Sequence, residues 1–286
     1  MKTGLLHIAV FLSVLFFSIP CVGKKNEGDV PFLETRVDRN HTVEGEKVIY
    51  EVVLITPDPS VAGVEVVSSP GFFGNDIGRS APDSHLEEIT LKGKLYYRAV
   101  IDRFFIVTGT KGKYTVKGGT YRVGINRQVA VNDPFWGPSV ATGVETFALS
   151  APDLMIKVDP VPLKNCPETF SGAIGSYEIE SALISKELVS GEEACLLVTI
   201  AGKGDLSQSK LPEIHRSFGE GLHFKSMTDT LTHYIKDGSL GSEMEIECLF
   251  SMDKPGKYII SRIEFSYFDS ETRKYVTIKS RPSEVE

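Results

Sequence analysis

The sequence has few of the residues that build reaction centres. Its 286 residues include one tryptophan, four cysteines and six histidines. No HExxH pair, no Gly-x-Ser-x-Gly elbow and no Gly-x-x-x-x-Gly-Lys-Ser/Thr phosphate loop occurs in it. The histidines and carboxylates are scattered, without the spacing of metal ligands or of an acid–base pair. The sequence therefore predicts a protein that is not an enzyme and that holds no cofactor and no metal ion.

An excess of positive charge is also lacking. Acidic residues outnumber basic ones, and the formal net charge is −7. Proteins that bind nucleic acid present basic stripes to phosphate, and anionic membrane surfaces attract polybasic segments. The acidic balance therefore argues against both of these partners.

Long apolar runs are absent after the N-terminus. The uncharged apolar run from Leu5 to Ile19 follows one lysine and precedes a few small residues. This order is typical of a secretory signal peptide, and the run is shorter than the roughly 20 residues of a membrane-spanning helix. We expect cleavage near Gly23, so that residues 1–23 are removed and no membrane span remains. An uncleaved membrane anchor and lipidation of Cys21 are the alternatives.

Cysteine is scarce enough to limit disulfide formation. After the loss of residues 1–23, Cys166, Cys195 and Cys248 remain, and an odd number leaves at least one thiol unpaired. Cys195 alternates out of phase with the apolar residues of its strand, whereas Cys248 is in phase with the apolar residues of its own. Side chains on opposite faces of a sheet cannot form a disulfide. We predict three free thiols, with a Cys195–Cys248 bridge as the alternative.

Two phrases occur twice in the sequence at nearly the same offset. Lys111-Gly-Lys-Tyr-Thr-Val116 resembles Lys254-Pro-Gly-Lys-Tyr-Ile-Ile260, and Val43-Glu-Gly-Glu resembles Val189-Ser-Gly-Glu. Two independent matches indicate that one domain is present in two copies. We interpret the Gly-Lys-Tyr phrase as a turn in which glycine supplies the unusual φ and tyrosine begins the next strand.

Short strand signals dominate both copies, and the helical period is weak. Stretches of alternating β-branched and aromatic residues are separated by Gly/Pro turns. This spacing predicts an all-β protein with two tandem immunoglobulin-like β-sandwich domains, at 24–158 and 159–286, joined by a stiff Pro160-Val-Pro162 segment. The clearest strand signals lie at 48–55, 63–67, 96–108, 120–125, 147–150, 154–158, 193–200, 244–252, 258–260, 263–268 and 274–279.

Two polar features interrupt these strands. The glycine-rich Ala201-Gly-Lys-Gly-Asp205 follows a strand but does not open a helix, so we predict a hairpin turn there and not a phosphate-binding loop. Asp102 lies within an apolar strand, and we predict that it pairs with an arginine without taking part in catalysis.

The strongest candidate for a binding site is Val131-Asn-Asp-Pro-Phe-Trp-Gly-Pro138. It holds the single tryptophan beside a phenylalanine, between two prolines, and its turn residues predict a loop. Large aromatic residues on a loop indicate a contact patch for a protein or a stacking platform for a sugar ring. We take Asp133, Pro134, Phe135 and Trp136 as the candidate protein-interaction residues. The alternative is that Trp136 folds back over the edge of the sandwich.

In order and spacing, the strands and turns resemble the BatD family of oxygen tolerance proteins. The resemblance covers most of the chain after residue 23, and it is stronger in the second half. It rests on Val189-x-Gly-Glu, Leu196-x-Val-Thr-Ile-Ala-Gly-Lys-Gly-Asp-Leu206, Phe170-Ser-Gly-Ala-Ile-Gly175, Lys254-Pro-Gly-Lys-Tyr258, Ile263-Glu-Phe-Ser-Tyr-Phe-Asp269, the segment from Tyr97 to Tyr114, the Asp133-Pro-Phe loop and Ile156-Lys-Val-Asp-Pro160.

The resemblance implies an exported protein of the periplasm or cell envelope of a Gram-negative bacterium, often one of the Bacteroidetes. It implies a link to aerotolerance and envelope-protein partners, among them the von Willebrand factor A domain proteins of a Bat-type operon. Family members usually continue into a transmembrane helix, and we expect this chain to be a short form without one. The leading hypothesis is a non-enzymatic protein-interaction scaffold. The alternatives are a carbohydrate-binding β-sandwich module and a pilus-type chaperone.

Overall fold

The structure is a computed structural model. It describes residues 30–72, 77–80, 85–133, 135, 137–184 and 192–286. The predicted signal peptide and its cleavage site lie outside the described residues. Among the residues described, no helix is long and apolar enough to span a bilayer.

The described residues form strands and one short 3-10 helix, η1, at Ile214–Ser217. This confirms the prediction of an all-β protein. The strands are β1 Phe32–Val37, β2 His41–Val43, β3 Lys47–Thr56, β4 Val61–Ser68, β5 Ile77–Ser80, β6 Glu87–Leu91, β7 Lys94–Val107, β8 Gly112–Val116, β9 Thr120–Asp133, β10 Gly137–Ser150, β11 Leu154–Asp159, β12 Phe170–Leu183, β13 Glu193–Asp205, β14 Leu222–Lys236, β15 Ser239–Met252, β16 Tyr258–Ile260, β17 Glu264–Asp269, β18 Lys274–Lys279 and β19 Ser283–Val285.

Strands β1 to β11 form the first sandwich. One sheet has the order β1-β3-β7-β5, with β6 also paired to β7. Two three-stranded sheets pack against this sheet, one with the order β10-β9-β4 and the other with the order β2-β11-β8. Alternate side chains of each strand point between the layers, as the period of two requires. The core formed in this way includes Val48, Tyr50, Val52, Leu54, Phe104, Ile106, Val116, Tyr121, Val123, Ile125, Ile156 and Val158.

Strands β12 to β19 form the second sandwich. A six-stranded sheet has the order β14-β15-β13-β12-β17-β18, in which β12 and β17 are parallel. The two-stranded sheet β16-β19 and the segment around η1 cover its inner face. The second core is separate from the first and includes Tyr177, Leu196, Val198, Ile200, Leu206, Ile214, Met244, Ile246, Cys248, Phe250, Ile260, Ile263, Phe265 and Val285. Separate main cores in strands β1–β11 and β12–β19 confirm the prediction of two tandem β-sandwiches.

The repeated Gly-Lys-Tyr phrase forms the same local structure in both sandwiches. The Tyr114 hydroxyl donates a hydrogen bond to the carbonyl oxygen of Thr110, at 2.7 Å. The Tyr258 hydroxyl donates to the carbonyl oxygen of Lys254, at 2.9 Å. Each tyrosine therefore bonds the backbone four residues upstream, as the tyrosine corner of immunoglobulin-like domains bonds the preceding chain. The phrase stabilises the chain reversal that precedes β8 and β16. The prediction that its glycine supplies an unusual φ is wrong, because neither Gly112 nor Gly256 has a positive φ.

The prediction of a hairpin turn at Ala201–Asp205 is wrong. Strand β13 continues through these residues, and Gly204 pairs with Gly175 of β12. Glycine is required because the Tyr177 side chain crosses the strand at this point. A Cβ on Gly204 would lie 2.3 Å from the Tyr177 hydroxyl oxygen, and Gly204 has a φ of +123°. The glycine run is a tyrosine-packing site within a strand.

Asp102 pairs with an arginine, as predicted. A bulge in the β3–β7 ladder, opposite Val52 and Val53, accompanies the burial of the Asp102 side chain in the first core. Its two carboxylate oxygens accept hydrogen bonds from Arg79 of β5, at 2.8 and 3.0 Å. The Tyr121 hydroxyl donates to the same carboxylate at 3.2 Å. The carboxylate is buried whereas the Arg79 side chain is 54% exposed, so the pair closes the surface over Asp102 and, with Tyr121, ties β5 and β9 to β7.

Tyr50 provides a test of hydrogen bonding in this core. Its buried hydroxyl has no hydrogen-bond partner within the described part of the chain, and burial raises its pKa to about 12. Tyr50→Phe should leave the free energy of unfolding unchanged or raise it by up to about 1 kcal/mol, because an unsatisfied buried hydroxyl is removed. Tyr121→Phe is the matched control, and it should cost about 1–3 kcal/mol because Asp102 loses a donor. Equal losses in urea unfolding would contradict this description of the core.

Candidate interaction surface at the β9–β10 hairpin

Strands β9 and β10 extend beyond the sandwich as a two-stranded ribbon. They pair along their whole length, from Thr120 opposite Ser150 to Asp133 opposite Gly137. The neighbouring strand β4 pairs with β9 no further than Ile125. The Asn126 amide still donates to the Ser60 carbonyl oxygen at 2.7 Å. Beyond Asn126, β9 and β10 pair with each other and with no other strand of the described residues. We call residues 126–144 the hairpin arm.

Burial decreases along the hairpin towards its tip. At its base, Tyr121, Val123 and Ile125 are fully buried in the first core. In the arm, Val131 is 43% exposed and Val140 is 68% exposed. These two valines lie on opposite faces, because Val131 is opposite Ser139 and Val140 is opposite Ala130. The arm therefore presents apolar side chains to solvent on both faces.

Phe135 lies in the turn that connects the two strands, and it is 92% exposed. The strand after it begins at Gly137, which has a φ of +78° that favours glycine. A large aromatic residue at the tip of a protruding hairpin has the character of a binding hot spot, since aromatic anchors contribute most of the energy at many interfaces. The tip is thus the most exposed aromatic feature of the described chain.

One arginine ties the base of the arm to the rest of the sandwich. Arg127 donates to Glu145 of β10 at 2.9 Å, and it also pairs with Asp58 in the turn between β3 and β4. Because the guanidinium joins three segments, it limits rotation of the arm relative to the sheets. The remaining strand residues of the arm carry little charge. Contacts made by the arm would therefore depend on shape and on apolar side chains more than on ion pairs.

Of the four predicted interaction residues, Asp133 ends β9 and Phe135 lies in the turn at this tip, but the predicted loop was too long. Strand β9 includes residues 131–133 and strand β10 begins at Gly137, so residues 134–136 connect the strands. The pairing of Asp133 with Gly137 continues the ladder into the region that turn composition had marked as a loop. Pro134 and Trp136, together with the hypothesis that Trp136 folds back, lie outside the described residues.

Sequence reasoning missed a polar junction between the two sandwiches. The Glu46 side chain is 3% exposed, and it accepts a hydrogen bond from the Val43 backbone amide at 3.1 Å and one from the Thr42 hydroxyl. It also pairs with Arg39 and accepts from the Ser270 hydroxyl of the second sandwich at 2.7 Å. One carboxylate therefore joins both sandwiches. Glu46 belongs to the repeated Gly-Glu phrase, and that repetition was the one sequence signal that could have marked it as a junction residue.

A second ionic contact crosses the junction at Asp205. Its carboxylate pairs with Lys47 of the first sandwich and with His233, each at 2.7 Å. Burial alone would raise the pKa of Asp205, but the hydrogen bonds from Lys47 and His233 lower it to about 2. The stabilisation from this carboxylate is present above the ordinary carboxyl pKa and is lost as the pH falls towards 2.

Asp159 makes the third contact at the end of β11. Its carboxylate lies 2.7 Å from His41 Nε2, and it also pairs with Arg273 of the second sandwich and with Lys157. The hydrogen bond with His41 is the main cause that lowers the pKa of Asp159 to about 2. These three junction contacts restrict the angle between the sandwiches.

The cysteines lie as the sequence predicts. Cys166, Cys195 and Cys248 are free thiols. Cys195 is opposite Leu249, and Leu196 is opposite Cys248, so the two thiols lie on different faces of one sheet. Burial raises the pKa of the Cys248 thiol to about 12 and also raises that of Cys195. A raised thiol pKa lowers the thiolate fraction and with it the reactivity of the side chain.

No family model matches the sequence, and a search of curated proteins found no match. Solved structures similar to the chain include the type II cohesin dyad of the adaptor ScaA scaffoldin of Acetivibrio cellulolyticus, at 11% identity and a TM-score of 0.21. That match covers 88% of this chain and 98% of the other. A chicken TCR structure matches at 9% identity and a TM-score of 0.17, over 87% of this chain and 98% of the other. At such TM-scores neither match supports an inference about this chain.

Proposed function

We propose that the chain is a BatD-like, non-enzymatic protein-interaction scaffold of the cell envelope, and that the hairpin arm is its main contact surface. The immunoglobulin-like β-sandwich is a common framework for binding modules. The observation that carries the proposal is the arm itself, which leaves its parent sheet after Ile125 and ends in the 92% exposed Phe135. Such a tip inserts into a pocket of a partner and leaves the sandwich core undisturbed.

The cellular setting of the proposal rests on the sequence. The N-terminal 23 residues support export to the periplasm or envelope of a Gram-negative bacterium. The resemblance to BatD supports a role in oxygen tolerance and points to von Willebrand factor A domain proteins of a Bat-type operon as partners. In this role the scaffold would hold envelope proteins next to one another, while the chemistry that depends on metal ions belongs to those partners.

Removing the aromatic side chains at the tip should weaken partner binding. Phe135→Ala combined with Trp136→Ala should lower the affinity for an envelope partner at least tenfold, as loss of an aromatic anchor does at other interfaces. The unfolding midpoint should change little, because Phe135 makes up part of the exposed tip and not of the core. The measurement is pull-down from envelope extracts, followed by titration against the purified von Willebrand factor A domain protein.

The matched control is Leu163→Ala, which removes another highly exposed apolar side chain, in the segment between β11 and β12. It should bind as the wild type does. Equal binding by the tip variant and the control would contradict the proposal. A glycan array tests the carbohydrate-binding alternative. If the wild type bound a sugar and the tip variant did not, the ligand of the arm would be a glycan and not a protein.

A further inference from the structure

Strand β14 forms one edge of the six-stranded sheet and has an open side. Within the described part of the chain, β15 is its partner and no strand lies against its other edge. The strand is fifteen residues long, from Leu222 to Lys236. An edge of this length presents a row of unpaired backbone groups to another strand. A bulge between Phe224 and Ser226 limits the regular part to residues 226–236.

The hairpin turn determines which residues direct their backbone groups to the open edge. Asp237 and Gly238 have φ values of 52° and 72°, as in a two-residue type I′ turn. The pair that closes such a turn, Lys236 and Ser239, is hydrogen-bonded, and hydrogen-bonded pairs then alternate along the ladder. The residues whose amide and carbonyl groups point to the open edge are therefore Met227, Asp229, Leu231, His233 and Ile235.

The side chains of these same residues lie on the core side of the sheet. Asp229 is opposite Ile246, and Leu231 is opposite Met244, both of which are buried. The side chains of β14 are less buried than these neighbours in β15. Met227 is 37% exposed and Ile235 is 36% exposed. The open edge thus combines unpaired backbone groups with a strip of apolar and charged side chains.

We propose that β14 pairs antiparallel with β14 of a second copy of this chain, about a two-fold axis at Leu231. In this register Asp229 of each copy lies opposite His233 of the other, and Met227 lies opposite Ile235. Leu231 lies opposite Leu231 of the second copy. Each of these positions directs its backbone groups to the shared edge, so the hydrogen bonds and the side-chain pairs are satisfied together.

Neighbouring registers lack this complementarity. An axis at Thr230 or at Thr232 places Asp229 opposite Leu231 or Ile235. An axis at Asp229 places two carboxylates directly opposite each other, which is destabilising. The imidazole of His233 is held in position by Asp205 at 2.7 Å. Charge complementarity in one register is the reason to choose a second copy as the occupant of this edge.

The expected dimer is weak. Residues 227–235 of each strand extend about 30 Å at roughly 3.4 Å per residue. A single pair of strands buries less area than the roughly 1,600 Å² of a standard stable interface. We therefore expect association in the micromolar range, measured by sedimentation velocity on the mature chain.

Cysteine cross-linking tests the register. In a Cys166→Ser background, Leu231→Cys places two thiols directly opposite each other, with a Cα separation of about 5.5 Å that permits a disulfide. Under mild oxidation this variant should form a covalent dimer. Thr230→Cys is the matched control, because its side chain points to the other face and lies opposite Thr232. It should cross-link at least tenfold more slowly.

A second variant keeps the test independent of the introduced cysteine. Asp229→Lys places a lysine opposite His233 of the second copy, and it should raise the dissociation constant at least tenfold. Equal cross-linking rates at positions 230 and 231 would overturn the proposal. So would a wild-type chain that stays monomeric up to about 1 mM, or an Asp229→Lys variant that associates as the wild type does. Binding at the hairpin arm is a separate measurement, so either proposal fails without the other.

Discussion

Arg79→Met should lower the free energy of unfolding of the first sandwich by about 3–5 kcal/mol. The Asp102 carboxylate is fully buried, and Arg79 supplies two of its hydrogen bonds. The Arg79 side chain is 54% exposed, so it reaches the buried carboxylate from the surface. Removing it leaves an uncompensated negative charge in the interior, and that costs more than the pair contributes when intact. The Tyr121 hydroxyl would remain as a donor but carries no charge. Urea unfolding followed by circular dichroism measures the loss.

Arg98→Met is the matched control for this substitution. Arg98 also lies in the first sandwich and pairs with a carboxylate, but its partner Glu87 is largely exposed. Exposed ion pairs contribute about 0–1 kcal/mol, so the control should lose no more than that. If both variants lost the same free energy, the Asp102 pair would not be the buried connection between β5 and β7 that we describe.

Glu46→Ala should lower the free energy of unfolding by about 3 kcal/mol and loosen the connection between the sandwiches. The carboxylate accepts hydrogen bonds from Val43 and Thr42 in the first sandwich and from Ser270 in the second. Its loss leaves a partly buried Arg39 without its closest anion. Hydrogen bonds to charged groups contribute about 1.5–3 kcal/mol each, and their loss is partly offset by solvation.

The measurement for this second prediction has two parts. Urea unfolding gives the change in free energy, and spin labels on the two sandwiches give the distribution of distances between them. We expect a broader distribution in Glu46→Ala than in the wild type. Glu264→Ala removes an exposed pair with Lys279 and should change neither quantity appreciably. A narrow distribution in Glu46→Ala, identical to that of the wild type, would show that the junction does not restrict the angle.

Much of the fold follows from local patterns in the sequence. Strands β16 and β18 have the predicted bounds, because a short run rich in aromatic and β-branched residues is closed by turn residues on both sides. Strand β14 was missed for the opposite reason. Most of its residues are exposed, and the polar residues Asp229 and His233 interrupt the apolar side chains on its core-side face. An edge strand is fixed by the backbone of its neighbour, and single-sequence patterns carry no information about that pairing.

In the candidate site, too, some features were predictable from local sequence and others were not. The exposure of Phe135 was predictable, because turn residues surround it and loops lie on the surface. The length of the arm was not, since its strands pair with each other where no core imposes alternation. The junction was also missed, because Glu46, Asp159 and Asp205 are far apart in sequence. Their grouping depends on how the two sandwiches lie together, which no local pattern encodes.

Site-specific photo-cross-linking at the tip of the arm tests the account most directly. A photoreactive amino acid replaces Phe135 in the full chain, expressed in its own envelope, and a matched variant carries it at the exposed Lys257 of the second sandwich. We predict a discrete adduct with an envelope protein from position 135, and none from position 257. Identical adducts from both positions, or no protein adduct from position 135, would contradict the claim that the hairpin arm is the contact surface of a binding scaffold.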